Sequence, residues 1–363
     1  MLLAITYFGL LFWHSANTMD SWAYLWATLA IWLTSWSVRI FWKNQALNVR
    51  KNWLNNETAV LTVVSGDVTR VDIWFSSVFH WKPSQHVFLR FNDISALDNH
   101  PFTIATAESV SNSGSHLVFL PRAHAGFTRK LLSYTQDHSS MGDKAVTTPV
   151  WIDGPYGGLS HSLHHRYDTL ILLAGGTGIT ACFSWIQDIV LGIHKQDSVY
   201  RIKRVVLVWA MKTPDAVQWL ADEFRNLAET KERVNQASLE IRVHITGGKR
   251  ISNKGDSNQP YDSHASTAKE GETNVDTTPV DENIVSSSPL SYVTDLGATV
   301  HTGRPNMSSV LQDFVRQGER TMVIGCGPDT FRADLGNAVA TAQSMVFKGE
   351  IVELAMHLET FGW

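Results

Sequence analysis

The sequence contains little cysteine and no strong excess of charge. Only Cys182 and Cys326 occur among 363 residues, and they lie far apart without metal-ligand spacing. They offer no disulfide framework, so the soluble part is expected in the cytosol, where thiols stay reduced. The net charge of -4 and the lack of a basic stripe or recognition motif give no basis for nucleic-acid binding.

Tryptophan, by contrast, is abundant at the N-terminus, where seven of the 14 tryptophans fall within the first 53 residues. Residues 22–42 are apolar, with Arg39 as their only charge. At ~1.5 Å per residue this segment is about 30 Å long, which matches the hydrocarbon core of a bilayer. Its terminal aromatic residues suit the two interfaces, and the basic residues that follow place its C-terminal side in the cytoplasm. We predict a membrane helix.

Residues 1–13 are also apolar but form a shorter segment. A signal peptide is the alternative, but the segment lacks a basic start and a small-residue cleavage site. We therefore predict a second membrane helix, so that residues 1–43 form a hairpin. Such a hairpin is expected to belong to a larger membrane protein or to a truncated gene product. His14 follows the first segment directly. It is interpreted as a capping or interfacial residue, and the alternative is a haem iron ligand.

Short apolar runs separated by turn residues predict an antiparallel β-barrel over residues 54–158. Within this domain, Pro101 fixes the backbone and Phe102 offers an aromatic surface. The hydroxyls of Thr103 and Thr106 can hydrogen-bond a flavin ring or its phosphates. An ordinary strand edge is the alternative. The predicted flavin contacts are His100, Pro101, Phe102, Thr103, Ile104, Ala105 and Thr106.

A second part of the predicted flavin site follows in the same domain. Arg122 supplies a cation, and a glycine turn at Gly126 leads into an amphipathic helix. Helix N-termini favour anions, so the sequence predicts a pyrophosphate site here. The predicted contacts here are Arg122, Gly126, Phe127 and Thr128.

From residue 166 to 363, strands and helices alternate, which predicts a doubly wound α/β domain. A continuous apolar run from Thr169 is typical of a buried parallel strand. The glycines that follow would let the backbone approach a pyrophosphate closely; a purely structural turn is the alternative. The predicted coenzyme contacts are Gly175, Gly176, Thr177, Gly178, Ile179 and Thr180, with Cys326, Gly327 and Pro328 after a later strand.

Residues 249–290 interrupt this domain. They are rich in Ser, Thr, Asp, Asn, Glu and Gly and poor in apolar residues. Such a segment cannot bury enough surface to order itself, so we predict a disordered insertion. We interpret it as a spacer, although its Ser and Thr residues could accept phosphate.

Taken together, these motifs resemble those of the fungal ferric-chelate reductases, which share their architecture with NADPH oxidases; the soluble half also resembles ferredoxin–NADP reductases. The resemblance implies that HPFT contacts FAD and that the glycine turn and the CGP motif bind NADPH. It implies that Arg304, in the GRP motif, faces the adenosine 2′-phosphate, a role suited to a fixed cationic fork. It also implies that Trp363 stacks on the flavin and swings away for the nicotinamide, with Cys326 and Glu359 near the hydride path.

The resemblance implies that NADPH transfers a hydride to FAD. The reduced FAD then passes single electrons to a ferric or cupric chelate, which supports iron uptake. The protein is then expected in the plasma membrane, with its FAD and NADPH domains in the cytoplasm. An iron permease or oxidase of the same uptake pathway is the expected protein partner. The alternatives are an NADPH oxidase that reduces oxygen, and a truncated nucleotide-binding membrane protein without transmembrane electron transfer.

The chain departs from the family in its membrane part. Family members have about six membrane helices and two haems held by four histidines, whereas here His14 alone matches such a ligand. Haem b is therefore expected only if further membrane helices are supplied. The departure affects transmembrane electron transfer and not the flavin chemistry.

Overall fold

The computed structural model describes residues 2–15, 22–46, 57–75, 79–95, 98–108, 115–139, 145–159, 163–192, 201–231, 237–247 and 289–360. The chain divides into two compact units, Met1–Asn56 and Glu57–Trp363. The predicted insertion falls almost entirely outside the described residues, as does Trp363, so the expectations for both stay predictions.

The first unit consists of two helices, α1 (Leu2–Ser15) and α2 (Trp22–Ala46). Neither glycine nor proline interrupts α2, and Phe12 of α1 packs edge-on against Trp22 and Trp26 at its start. The helices lie where the sequence predicts them. Among the described residues, however, no helix combines the length and mean hydropathy needed to cross a membrane. The two predicted spans are therefore unconfirmed.

The second unit begins with six antiparallel strands and one helix. The strands are ordered β4-β3-β6-β1-β2-β5. The backbone N–H of Ala105, just after β4, donates to Val118 of β5, which joins the two edges of the curled sheet. The elements are β1 (Glu57–Val63), β2 (Thr69–Phe75), β3 (Gln85–Arg90), β4 (His100–Thr103), β5 (Ser115–Phe119), α3 (Phe127–His138) and β6 (Ala145–Gly157).

A parallel six-stranded sheet follows, ordered β10-β9-β8-β7-β11-β12. Its strands are β7 (Thr169–Gly175), β8 (Arg204–Met211), β9 (Ser238–Ile245), β10 (Thr299–Thr302), β11 (Arg320–Cys326) and β12 (Glu353–Glu359). The helices are α4 (Ile179–Gly192), α5 (Ala221–Lys231), α6 (Ser291–Thr294), α7 (Met307–Phe314) and α8 (Asp329–Phe347), with 3₁₀ turns at Gly176–Gly178 and Pro214–Leu220.

Helices cover both faces of this parallel sheet, as predicted. Leu170 and Leu172 of β7 belong to the core on the side of α4 and α5. Ile171 and Leu173 belong to the core on the side of α7 and α8. All four side chains are fully buried, which explains the unbroken apolar run in the sequence.

A buried ionic network joins the barrel sheet to α5 of the α/β domain. Arg70 of β2 donates to both oxygens of Asp72 at 2.8 Å and to both oxygens of Glu223 on α5 at 2.6 and 2.8 Å. His116 bonds the same Asp72 carboxylate at 2.9 Å. Burial acts to raise the pKa of Asp72, but the hydrogen bonds from His116 and Arg70 outweigh it and lower that pKa. The network fixes the barrel against the α/β domain.

Two further hydrogen bonds cross the same interface. The Trp219 indole N–H donates to the Ser65 carbonyl at 2.9 Å, and the Trp185 indole N–H donates to the Ser84 hydroxyl at 2.9 Å. In each pair the tryptophan belongs to the α/β domain and the serine to the barrel domain. The pairs hold the barrel beside the edge of the parallel sheet where its strands end.

Candidate functional site

The carboxyl ends of the parallel strands surround a pocket of about 510 Å³, here called the strand-end pocket. Such an edge is where ligands bind in open α/β sheets. The predicted residues Gly175, Gly176, Thr177, Gly178, Arg304, Gly327 and Pro328 line it, with Arg122, His124, Ala210, Lys212, Thr246, Pro305, Met307, Asp329, Thr330, Phe331, Arg332 and Asp334.

The three glycines of the turn after β7 serve different purposes. A Cβ at Gly178 would overlap the backbone carbonyl of Cys326, and one at Gly175 would lie 2.9 Å from Cδ of Pro328. These two glycines therefore allow the turn after β7 to pack against the turn after β11. Gly176 instead has a φ of 56° and open space around its Cα. Its backbone conformation is the reason for glycine there.

Lys212 and Thr246 line the strand-end pocket but were not among the sequence-predicted contacts. They follow β8 and β9 directly. Their position one residue beyond a parallel strand is the signal that could have identified them. Lys212 adds a cation to those that Arg122, Arg304 and Arg332 provide.

Arg304 lies in a loop that the sheet holds in place. The Gly303 backbone N–H donates to the Ile245 carbonyl at the end of β9. Two residues beyond Arg304, the Asn306 side chain accepts from the Ser309 backbone N–H and caps α7. These hydrogen bonds on both sides of Arg304 fix the position of its backbone, from which the side chain extends.

Cys326 and Ile179 do not line the strand-end pocket, although both were predicted as contacts. Both side chains are fully buried. Cys326 is the last residue of β11, and Ile179 is the first residue of α4, which packs against the sheet. Burial raises the pKa of the Cys326 thiol, so it remains protonated. Its backbone carbonyl, against Gly178, is the part that shapes the turn.

A second pocket of about 520 Å³, here called the barrel pocket, lies against β4 and the start of α3. Eight predicted flavin contacts line it: His100, Pro101, Phe102, Thr103, Arg122, Gly126, Phe127 and Thr128, together with Leu120, Pro121, His124, Ala125, Thr177 and Thr180. The sequence placed Thr180 in the coenzyme site, whereas the structure places it here. Its hydroxyl donates to the Thr177 carbonyl at 3.0 Å.

Aromatic stacking gives the barrel pocket its shape. The His100 ring stacks on Phe127 at 4.5 Å between centroids and an angle of 19°. Phe102 and Phe91 flank Phe127 at 6.3 and 6.1 Å. Burial lowers the pKa of His100, although the charge of Asp98 opposes the shift. The ring is therefore neutral at neutral pH, which suits an apolar stack.

The remaining predicted flavin residues lie outside the barrel-pocket lining. Ile104 and Ala105 are fully buried, and Ala105 belongs to the core on the side of α4 and α5. The Thr106 hydroxyl donates to the His116 carbonyl at 3.0 Å, and its own carbonyl accepts from the Trp81 indole at 2.7 Å. Residues 104–106 therefore contribute to packing and backbone hydrogen bonding, because the chain enters the core after β4.

The two pockets are adjacent. Arg122, His124 and Thr177 line both of them. One cation and one helix start, at the glycine turn before α4, therefore face both spaces. The arrangement can hold two ligands side by side.

Glu359 lies at the end of β12, opposite Cys326 in the strand register. It accepts from the His357 ring at 2.8 Å and is partly buried. Burial lowers the pKa of His86, with the Glu359 charge opposing, so these two groups are close. Neither pocket lining includes Glu359, and its catalytic role stays a prediction.

One group of side chains in the described part of the chain has the proximity of metal ligands, namely Asp72, His116 and Glu223. The Arg70 guanidinium donates to both of its carboxylates. A cation therefore already fills this position, and the group belongs to the interdomain network.

Two family models match consecutive parts of the chain. Residues 53–160 match an FAD-binding domain. Residues 167–340 match the ferric reductase NAD binding domain. The boundary between the matches coincides with the link between β6 and β7.

Curated relatives cover the chain to different extents. The probable cell surface ferric reductase kap2 of Aspergillus oryzae is 26% identical over 99% of this chain and 58% of its own length. Ferric/cupric reductase transmembrane component 7 of Saccharomyces cerevisiae is 24% identical over 100% of this chain and 56% of its own length. Dual oxidase 1 of Homo sapiens is 27% identical over 46% of this chain and 10% of its own length.

The chain thus spans little more than half the length of the two reductases. Both domain models match in the order in which the barrel and the α/β domain occur in the chain. The reductases are similar to the chain along nearly its whole length. The chain therefore contains an FAD-binding domain followed by a ferric reductase NAD binding domain.

Proposed function

We propose that this chain oxidises NADPH with a bound FAD and passes the electrons singly to a ferric or cupric chelate. The observation that carries the proposal is the adjacency of the two pockets through Arg122, His124 and Thr177. One pocket suits a flavin and the other a nicotinamide dinucleotide. Electron transfer between two such groups requires them to lie side by side.

The residues of the barrel pocket fit FAD. The stacked His100–Phe127 pair provides an apolar wall for a ring system. The Thr103 hydroxyl can bond a ring edge. Arg122 and the start of α3 at Gly126 supply a cation and backbone N–H groups for a pyrophosphate.

The residues of the strand-end pocket fit NADPH. The glycine turn places the start of α4 at the pocket, where backbone N–H groups favour a pyrophosphate. Lys212 and Arg304 are exposed cations in the lining and suit the 2′-phosphate that distinguishes NADPH from NADH. Bound FAD supplies the exchange between two-electron and one-electron steps.

The proposed acceptor is a metal chelate and not oxygen. The relatives named as reductases are similar over nearly the whole chain, whereas the oxidase is similar over less than half of it. One NADPH supplies two electrons, so two ferric ions become ferrous while NADP⁺ and one proton are released. Oxygen reduction is the alternative that the experiment below separates.

We further propose that the N-terminal helices lie in the plasma membrane, with the FAD and NADPH domains in the cytoplasm. Trp13 and Tyr24 are 72% and 78% exposed, as aromatic anchors at an interface would be. The two reductases are named as cell surface and transmembrane proteins. Haem b at His14 would need further histidines from other membrane helices. An iron permease or oxidase is the proposed partner.

The test uses the whole chain, purified in detergent with added FAD. We expect NADPH oxidation with a ferric chelate to yield two ferrous ions per NADPH, read with a ferrous-specific dye, and to persist without oxygen. Superoxide formation without ferrous product would identify an oxidase. Tight binding of both cofactors without NADPH oxidation would reduce the chain to a nucleotide-binding protein. A Soret band in the same preparation would show haem.

A further inference from the structure

Trp209 is a fully buried residue of β8 whose indole reaches the glycine turn. Its ring N–H donates to the Gly176 carbonyl at 3.0 Å. The backbone N–H of Ile179 donates to the same carbonyl. Two donors therefore hold the carbonyl of the residue whose positive φ shapes the turn.

The direction of this carbonyl determines the direction of the next backbone N–H. In a trans peptide the C=O and the N–H point to opposite sides. Trp209 holds the Gly176 carbonyl from within the core, so the N–H of Thr177 in the same peptide plane points away from the core. Thr177 lines the strand-end pocket. A backbone N–H presented there can bond a phosphate oxygen.

We propose that Trp209 is a positioning residue for the coenzyme: its indole N–H holds the Gly176–Thr177 peptide so that the Thr177 N–H faces the pyrophosphate. The inference rests on the proposed NADPH site and adds a residue outside its lining. A merely packed tryptophan would contribute only its ring, which lies 6.1 Å from Phe224 and 6.2 Å from Trp219.

The chain contains a matched control for this role. Trp219 is also buried, and its indole N–H also donates to a backbone carbonyl, that of Ser65. This bond lies at the interface between the domains, and Trp219 lines neither pocket. Trp209→Phe and Trp219→Phe each keep an aromatic ring and remove one N–H donor.

The experiment measures the equilibrium affinity of the whole chain for NADP⁺ and for adenosine 2′-monophosphate, together with the thermal midpoint. Trp209→Phe is expected to weaken NADP⁺ binding about three- to tenfold, the effect of one lost hydrogen bond. Binding of adenosine 2′-monophosphate should stay unchanged, because that ligand has no pyrophosphate. Trp219→Phe should change neither affinity, although both variants lower the thermal midpoint.

A second pair of variants tests the same peptide without altering the core. Thr177→Pro removes the N–H, and proline is tolerated in the first helical turn. Thr177→Ala keeps it. NADP⁺ affinity should fall in Thr177→Pro at least as much as in Trp209→Phe and clearly more than in Thr177→Ala.

Three results would overturn the inference: equal NADP⁺ affinity in Trp209→Phe and the parent, equal losses for both ligands, or an equal loss in Trp219→Phe. If Trp209→Phe fails to fold, equal affinities in the two Thr177 variants would overturn it. A parent chain that binds no NADP⁺ would instead refute the proposed function itself. Failure of the two ideas is thus distinguishable.

Discussion

The barrel pocket and the strand-end pocket differ in how far side chains or the backbone form their walls. Side chains form the walls of the barrel pocket, where the His100 ring stacks on Phe127. Backbone turns form one wall of the strand-end pocket, where Gly175 and Gly178 bring two strand ends together. In the barrel pocket, a changed side chain should therefore alter only its local contacts. In the strand-end pocket, a methyl group added at one of these glycines should displace the backbone.

The two pockets also differ in how they treat charge. Arg122 lies in both linings, but the strand-end pocket adds Lys212, Arg304 and Arg332, whereas the His100 ring in the barrel pocket is neutral because burial lowers its pKa. The first should select ligands by charge, and the second by aromatic surface.

The network that holds the two pockets together should give the largest effect. Arg70→Met leaves the buried Asp72 and Glu223 without their cation, which is expected to lower the unfolding free energy by ~3–5 kcal/mol. Urea denaturation measures the loss. The exposed pair Arg225–Asp222 provides the control, since Arg225→Met should cost no more than ~1 kcal/mol. Equal losses in both variants would contradict the claim that burial gives this network its importance.

The same network predicts a pH dependence. The pKa of Asp72 is lowered in the folded protein, so its stabilisation is present above the unfolded-state value of about 3.9 and is lost as pH falls through the folded-state pKa. Unfolding free energies measured from pH 6 down to pH 3 should fall in the parent chain. The fall should be smaller in Arg70→Met. An identical pH profile in the two proteins would be evidence against the assignment.

Charge selection in the strand-end pocket should give the next largest effect. Arg304→Ala is expected to raise the KM for NADPH, but not for NADH, because one charge-assisted contact is worth ~1.5–3 kcal/mol, or about ten- to a hundredfold. Lys212→Ala should act in the same direction. Arg316→Ala, an exposed cation outside the pocket, is the control. Equal effects on NADPH and NADH would place the 2′-phosphate elsewhere.

Backbone packing at the strand-end pocket is tested with Gly178→Ala. The added Cβ meets the Cys326 carbonyl, so we expect a loss of ~1–3 kcal/mol in unfolding free energy together with weaker NADP⁺ binding. Flavin content should stay near that of the parent. Gly336→Ala on α8, where a Cβ would meet nothing within 4 Å, should not destabilise the chain. Normal NADP⁺ binding by Gly178→Ala would contradict the backbone argument.

The stack in the barrel pocket should give the smallest effect per residue. His100→Ala removes one aromatic contact, worth ~0.5–1.5 kcal/mol, so flavin should bind about two- to tenfold more weakly while NADP⁺ affinity is retained. Combined with Thr103→Ala, the change should release flavin from the folded protein during gel filtration. His80→Ala, which removes an exposed histidine paired with Glu108, is the control. Unchanged flavin content in the double variant would refute this site.

Much of the strand-end pocket was predictable from the sequence because local patterns determine it. A buried run ending in glycines fixes a strand followed by a turn and a helix, and strand ends collect at one edge of a parallel sheet. Gly176, Thr177 and Arg304 do lie together at one edge of the sheet, and their role as coenzyme contacts stays a prediction. Lys212 and Thr246 follow the same rule and were missed because neither belongs to a recognised motif. The gating role of Trp363 remains a prediction, since that residue lies outside the described part of the chain.

Which members of each motif face a pocket depends on the packing of the two sheets and their helices. Ile104, Ala105 and Cys326 belong to predicted motifs, but the sheets turn their side chains into the core. The purposes of Gly175 and Gly178 emerged only when the turn after β11 was placed against them. The contacts of Trp209 with Gly176 and of Arg70 with Glu223 carry no local signal, because these partners lie 33 and 153 positions away in the chain. The domains and the sheet edge where ligands are expected were predictable from the sequence, since both follow from local periodicity. Contacts between distant segments depend on how the sheets pack, and no local pattern encodes them.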